Sequence, residues 1–245
     1  MDKLLKAGRI IFSIGIIGLG ILSIVAKDFI VGRPPAGRVG FTFTPALAGT
    51  ILIISALAVL FHKKARAFSL LIAVLIFLLS ILRHIPHFMN DWLNAYKSIA
   101  LFGGALIVAS SFPGTQQRSN KVFVFIGCLS LAAFFIASGY AHFKFANFVI
   151  DFIPGYIPFH AFWTYFCGIC LFAGGIGLLI PPLSKWAALF SGIMLSGWFL
   201  LLHIPRFITN MNDASDRMGL FESFTFAGIF FTLAGVLSGT KSSKI

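Results

Sequence analysis

Charge is what this sequence has least of. Only 11% of its 245 residues are Asp, Glu, Lys or Arg, against about 25% in a soluble domain. A soluble fold of this length would lack the polar surface to cover its core, so that class is excluded. Acidic residues are the scarcer kind, 7 against 19 Lys and Arg, for a formal net charge of +12. In a chain that is 58% hydrophobic, basic residues set orientation and meet anionic headgroups, so no nucleic-acid partner is expected. Three cysteines are too few for a disulfide framework, and their odd number leaves one unpaired within the chain. His84 and His87 stand at a chelating i, i+3 spacing, but no acidic or cysteine ligand is close to them in sequence, so no metal is expected. Gly174-Gly175-Ile176-Gly177 follows no strand, which favours close helix packing over a nucleotide loop.

What the chain does have is apolar runs of about 20 residues, enough to cross a bilayer as helices. Eight spans are expected, at about 6–26, 41–61, 67–88, 94–111, 122–142, 159–180, 184–208 and 218–238. The first has a basic flank and no clear small-residue cleavage site, so it reads as an uncleaved helix. Pro34-Pro35 and Pro181-Pro182 interrupt the pattern, since proline cannot continue a helix. The aromatic stretch 143–158 reads as a loop lying in the membrane interface.

The fold class is therefore an all-α membrane protein with the lipid bilayer as its first partner. It also looks duplicated. Arg83-His84-Ile85-Pro86-His87-Phe88 and Leu202-His203-Ile204-Pro205-Arg206-Phe207 each close an apolar run, 119 residues apart (203 − 84). The same shift carries Gly20 onto Gly139, Phe29 onto Phe148, Pro35 onto Pro154, Gly49 onto Gly168 and Leu60 onto Leu179. The eight spans thus divide into residues 1–112, a linker 113–121, and 122–240. Because each unit has an even number of spans, the repeats are parallel rather than inverted. One side collects Lys3, Lys6, Arg9, Lys63, Lys64, Arg66, Arg118, Lys121, Lys185, Lys241 and Lys244 with the single acid Asp2. The positive-inside rule then puts both termini in the cytoplasm.

The second unit carries a recognisable pattern: Gly139-Tyr140-Ala141-His142-Phe143, Phe148-Val149-Ile150-Asp151-Phe152-Ile153-Pro154, Ile157-Pro158-Phe159-His160 and Phe162-Trp163-Thr164-Tyr165. Gly168, Gly174-Gly175-Ile176-Gly177, Ala187-Ala188, Leu202-His203-Ile204-Pro205-Arg206 and Leu220-Phe221-Glu222 continue it. The pattern resembles the DoxX family of prokaryotic membrane proteins over nearly all of the second half. The first half follows it through the repeat, without the His-Phe or the Glu. The resemblance implies four-helix units in a prokaryotic inner membrane. It also implies a link to quinone-coupled redox chemistry, since one branch of the family is named for a thiosulfate–quinone oxidoreductase subunit.

Candidate chemistry gathers at the outer ends of the spans. Tyr96-Lys97-Ser98 matches Phe221-Glu222-Ser223, so the repeats place a lysine and a glutamate at equivalent depths. A charge in the membrane costs roughly 2.5–3.5 kcal/mol at a helix centre and less near its ends. The functional reading pairs Lys97 with Glu222 beside His84 and His203, as the candidate catalytic set. The plain alternative has Lys97 reaching the headgroups and the histidines capping helix ends. His142, His160 and Arg206 are candidates for holding a cofactor, with His142 or His203 bonding a quinone headgroup. Cys167 and Cys170 share a helix face, which would suit thiol oxidation, although small cysteines packing between helices are the simpler expectation. Three functions stay open: a quinone-linked redox module, a small-molecule transporter or binding protein, and a scaffold for a membrane-protein partner.

Overall fold

The computed structural model describes residues 2–32, 43–84, 91–112 and 117–239. The helices are α1 Asp2–Val25, α2 Phe43–Phe61, α3 Ala65–His84, α4 Trp92–Ser110, α5 Gln117–Lys144, α6 Ala146–Phe152, α7 His160–Leu179, α8 Pro181–Trp198, α9 Ile204–Thr209 and α10 Ala214–Gly239. A single π turn, Phe199–His203, joins α8 to α9. Among the described residues, eight segments are long and apolar enough to cross a membrane, with α8, the π turn and α9 forming one of them, Pro181–Thr209. A helix of about 20 residues spans roughly 30 Å, which sets these lengths. The end carrying residues 26–32, 145–159 and 210–213 is termed the outer end, after the orientation expected from the basic residues.

Three details differ from the sequence reading. Stretch 143–158 is not simply a loop, because it contains α6. Pro181 and Pro182 end α7 but also open α8 as its first residues, where the missing N–H is one no helix bond needs. The expected linker 113–121 is partly helical, since α5 begins at Gln117. Pro34, Pro35, Pro86, His87, Lys241 and Lys244 lie outside the described residues.

Proline 205 imposes a further adjustment. It has no N–H to offer the Leu201 carbonyl one turn earlier. The chain answers with the π turn, in which the Ile204 N–H reaches Phe199 O, and with a neighbour, since the Tyr156 hydroxyl donates to Leu201 O. In hydrocarbon such a freed carbonyl must find a protein donor. Tyr156→Phe should therefore lower stability by about 1 kcal/mol, read as a lower midpoint in thermal unfolding of the detergent-solubilised protein; an unchanged midpoint would show that the hydroxyl is dispensable.

The large helices form a ring in which α1, α2, α3, α4, α5, α7, α8 and α10 each pack on the next, α10 returns to α1, and α4 crosses the middle to α10. Exchanging the first four of these helices with the last four leaves that set of neighbours unchanged. The glycine crossings behave alike. A Cβ on Gly20 would lie 2.8 Å from Gly49 O, and one on Gly139 would lie 3.0 Å from Gly168 O. A Cβ on Gly8 would lie 2.8 Å from Gly228 O, and one on Gly127 equally 2.8 Å from Gly103 O. Glycine here lets backbones touch, which is how helices gain contact in lipid without a hydrophobic driving force. The apolar windows of α4 and α10 are 67% and 61% buried, against 17% for Pro181–Thr209. So α4 and α10 form the centre of the molecule, and any polar side chain on their facing sides is buried in protein rather than exposed to lipid.

Candidate functional site

After α1 the chain does not leave the bundle. Phe29, Ile30 and Val31 are buried although they are not helical. Non-helical backbone at such a place persists only where protein satisfies it. The Ile30 N–H donates to Ser23 Oγ at 3.3 Å, and the Gly32 N–H donates to Glu222 Oε1 at 2.8 Å. Gly32 has φ +82, and a Cβ there would overlap Ser98 Oγ and stand 2.9 Å from Ser98 Cβ. Glycine is required twice over, by the left-handed backbone and by the space.

Glu222 meets Lys97 through its other oxygen. Lys97 Nζ lies 2.7 Å from Glu222 Oε2, with the side chains 16% and 5% exposed. The lysine turns to the carboxylate rather than to the headgroups, because α4 and α10 face each other at the centre of the ring. His84, at the end of α3, is buried, with Nε2 2.8 Å from Ser98 Oγ and Nδ1 4.0 Å from Asp91 Oδ2. Ser98 thus touches the histidine on one side and the Gly32 turn on the other, next in sequence to Lys97. His203 ends the π turn and faces α10, where a Cβ on Gly219 would lie 3.1 Å from its Nδ1.

Arg206 belongs to a second, adjoining cluster. Its Nε and Nη2 donate to the two oxygens of Asp216 at 2.8 and 3.2 Å. Nη1 donates to Phe152 O at 3.0 Å, and the guanidinium sits 3.6 Å over the Phe152 ring. Asn210 Nδ2 adds a bond to Asp216 Oδ2 at 2.9 Å. Arg206 therefore ties α9, α10 and α6 together. A buried carboxylate needs this many donors. His142 Nδ1–H donates to Ser138 O at 2.8 Å, and His160 Nε2 lies 3.2 Å from Pro154 O. Each of the candidate cofactor-holding residues thus serves an acceptor of its own: His142 the Ser138 carbonyl, His160 the Pro154 carbonyl and Arg206 the Asp216 carboxylate.

Sequence reasoning missed Ser98, Gly32, Asp91 and Asp216 as members of these clusters. A signal for the aspartates existed. Lys97 and Glu222 are 125 apart (222 − 97), and the same spacing takes Asp91 to Asp216 and Ser98 to Ser223. A gapless shift of 119 hides this, because the second unit has the longer chain between its His-Ile-Pro and its last helix.

An apolar groove of about 620 Å³ opens between α7 and α8, walled by Trp163, Phe166, Cys167, Cys170, Trp186, Phe190, Gly197 and Trp198 among others. At Gly174 and Gly177 the two helices touch, a Cβ there standing 2.9 Å from Ser191 Oγ and from Ala187 Cβ respectively, whereas a Cβ on Gly197 would meet nothing within 4 Å. Trp163 and Trp198 meet edge to face at 5.8 Å, and the Trp198 indole N–H donates to Cys167 Sγ at 3.2 Å. Both cysteines are free thiols on the wall of the groove. The glycine run of α7 also packs closely: a Cβ on Gly175 would stand 3.0 Å from Ala132 O. Among the described residues no group of three His, Cys, Asp or Glu side chains is placed to hold a metal ion.

A family model described as a domain of unknown function (DUF8561) matches residues 131–217. That stretch includes the groove, His142, His160, His203, Arg206 and Asp216, and stops short of Glu222. No curated protein and no solved structure matches the chain.

Proposed function

We propose that this chain is a DoxX-like membrane module of quinone-linked redox chemistry, built from two parallel four-helix repeats, which holds a quinone-class molecule in the groove between α7 and α8. The observation that carries the proposal is the groove itself. The two helices touch at Gly174 and Gly177, yet beside those contacts about 620 Å³ is left open between aromatic walls. That volume lies within the roughly 300–1,000 Å³ of small-molecule sites, which are mostly apolar with few polar groups. The thiols of Cys167 and Cys170 supply those polar groups, the Trp198 indole N–H being engaged by Cys167 Sγ. Further support comes from the DoxX-like residue pattern, which lies in the half that forms the groove. In this reading the protein sits in a prokaryotic inner membrane with both termini in the cytoplasm. The lipid tail of the ligand enters from the bilayer, and a partner protein exchanges electrons with it.

A transporter fits the packing less well. Inward of Glu222, α4 closes directly on α10, where a Cβ on Gly104 would overlap Ile229 Cδ1, so the two central helices leave no space for a path at that level. A scaffold without chemistry is the second reading, favoured by the way Lys97, Glu222 and Gly32 satisfy one another. The test is lipid extraction of the purified protein followed by mass spectrometry. Wild-type protein should carry quinone above the background of an unrelated membrane protein. Gly197→Phe, which fills the groove from a position with open space, should cut that amount roughly tenfold, the effect of losing about 1.4 kcal/mol of binding, with an unchanged unfolding midpoint. No quinone in the wild type, or full retention in the variant, would overturn the proposal.

A further inference from the structure

Three contacts fix the register between α7 and α8. A Cβ on Gly177 would stand 2.9 Å from Ala187 Cβ, and one on Gly174 would stand 2.9 Å from Ser191 Oγ. Nearer the outer end, Cys167 Sγ accepts from the Trp198 indole N–H at 3.2 Å. The helices are antiparallel, so this register sets Cys170 opposite Met194. Helical spacing agrees. Cys167, Cys170, Gly174 and Gly177 follow one another three or four residues apart on one face of α7, and Ala187, Ser191, Met194 and Trp198 do so on one face of α8. All eight line the groove. Between the Gly174–Ser191 contact and the Cys167–Trp198 bond, the two helices therefore present two thiols and a thioether to the same stretch of it. The thiols are close enough for Cys167 to feel charge on Cys170.

Among the described residues that line the groove there is no carboxylate, imidazole, lysine or arginine. The donors on offer are soft. Nor does the fold require sulfur at these places. The shift of 119 takes Cys167, Cys170, Met194 and Trp198 onto Ala48, Ile51, Leu75 and Leu79, so the matching helices α2 and α3 carry plain apolar side chains at all four.

We propose that Cys167, Cys170 and Met194 form a binding site for a soft monovalent metal ion, Cu(I), in the α7–α8 groove. Thiolate and thioether ligands select Cu(I) over harder ions. Zn(II) takes four ligands, whereas the groove offers three sulfurs. Charge points the same way, since a net charge inside the membrane is costly. When Cu(I) binds, one S–H bond breaks, one S–Cu bond forms and the proton leaves, so the site stays neutral. The second thiol and the thioether add lone pairs, and no electron is transferred. Cys167 is the thiol that gives up its proton, because the Trp198 N–H already donates to its sulfur, as hydrogen-bond partners behind metal ligands do. The groove extends to Ile157 and Leu201, which gives the ion an entry from the outer end. The site goes beyond the quinone reading and stands whatever else the groove holds.

The test uses the full chain in neutral detergent under reducing, oxygen-free conditions, with Cu(I) titrated against the chromophoric chelator bicinchoninate. Wild-type protein should hold one Cu(I) per chain, release one proton for each ion bound, and take up no Zn(II). Cys170→Ser should weaken binding roughly a hundredfold and Met194→Leu roughly tenfold. Met194→Leu conserves side-chain volume, so that variant keeps its fold and its reading stands even if the cysteine variant unfolds. Cys128→Ser removes a thiol of α5 that does not line the groove and should bind as the wild type does. Quinone content of the same samples reports on the earlier reading, and the metal titration alone on this one. No Cu(I) held against the chelator, Zn(II) bound as tightly as Cu(I), or unchanged binding in Met194→Leu or folded Cys170→Ser would overturn the proposal. So would equal losses in Cys128→Ser and Cys170→Ser, since the ion would then be held by thiols at large and not by the groove.

Discussion

Neutralising either member of the Lys97–Glu222 pair should cost about 2–3 kcal/mol of stability, and neutralising both should cost much less. Removing one partner of a buried ion pair typically costs about 3–5 kcal/mol, because the other charge is left without compensation. The site lies near the outer end, where water and side-chain movement relieve some of that cost. The two single changes should differ. Lys97→Met strands a carboxylate whose side chain is 5% exposed and is held by the Gly32 N–H, so it cannot move toward water. Glu222→Gln strands the lysine, which is 16% exposed and has a long stem with which to reach outward. The first change should therefore cost about 3 kcal/mol and the second about 2. Lys97→Met combined with Glu222→Gln leaves no charge, and the glutamine can still accept from Gly32. A coupling of about 3–4 kcal/mol in a double-mutant cycle of thermal unfolding is expected, because the single costs of about 3 and 2 are set against about 1–2 for the pair; simple additivity would mean that the charges do not interact. Retained quinone, measured on the same proteins, separates two roles. Stability restored with quinone lost would make the pair functional, and both restored would make it a lock between the two halves.

The second large effect is expected at the crossing of the first and last helices. Gly228→Ala puts a Cβ into the Phe12 backbone nitrogen and 2.7 Å from Gly8 O. Both obstacles are main chain, so no rotamer change removes them, and α1 and α10 must separate. Overpacking typically costs about 1–3 kcal/mol and more where backbone must shift, so about 3 kcal/mol or outright loss of folded protein is expected. The effect should spread, because this contact closes the ring and backs the segment that carries Glu222. Gly155→Ala is the control, since a Cβ there would meet nothing within 4 Å; it should stay within about 0.5 kcal/mol of wild type. Size-exclusion profiles and unfolding midpoints of the two variants in one detergent measure this. Equal behaviour would show that the crossing is looser than its geometry.

Eight spans were legible in the sequence because bilayer thickness sets the length of an apolar helix, and that length can be counted along the chain. The pairing of Lys97 with Glu222 was legible too, because each is a charge within an otherwise apolar run and needs a partner of opposite sign. The ends of elements were not legible at Gln117, Ala146 and Pro181, since local bonds decide there. Gly32 looked like an ordinary loop glycine; only the packed ring shows it against Ser98, with its N–H on Glu222. His142, His160 and Arg206 share an end of the molecule, but Ser138 O, Pro154 O and Asp216 claim them, since a buried donor takes the acceptor within reach. The groove has no sequence signature at all: Gly174, Gly177 and Gly197 read as packing residues, and whether small residues close a contact or leave a space depends on what the opposite helix presents. Composition and spacing thus determined that this is a membrane bundle with polar residues at one depth. Which of those residues meet, and where the bundle stays open, was decided by the ring of helices, because partners and voids are properties of positions brought together from distant parts of the chain.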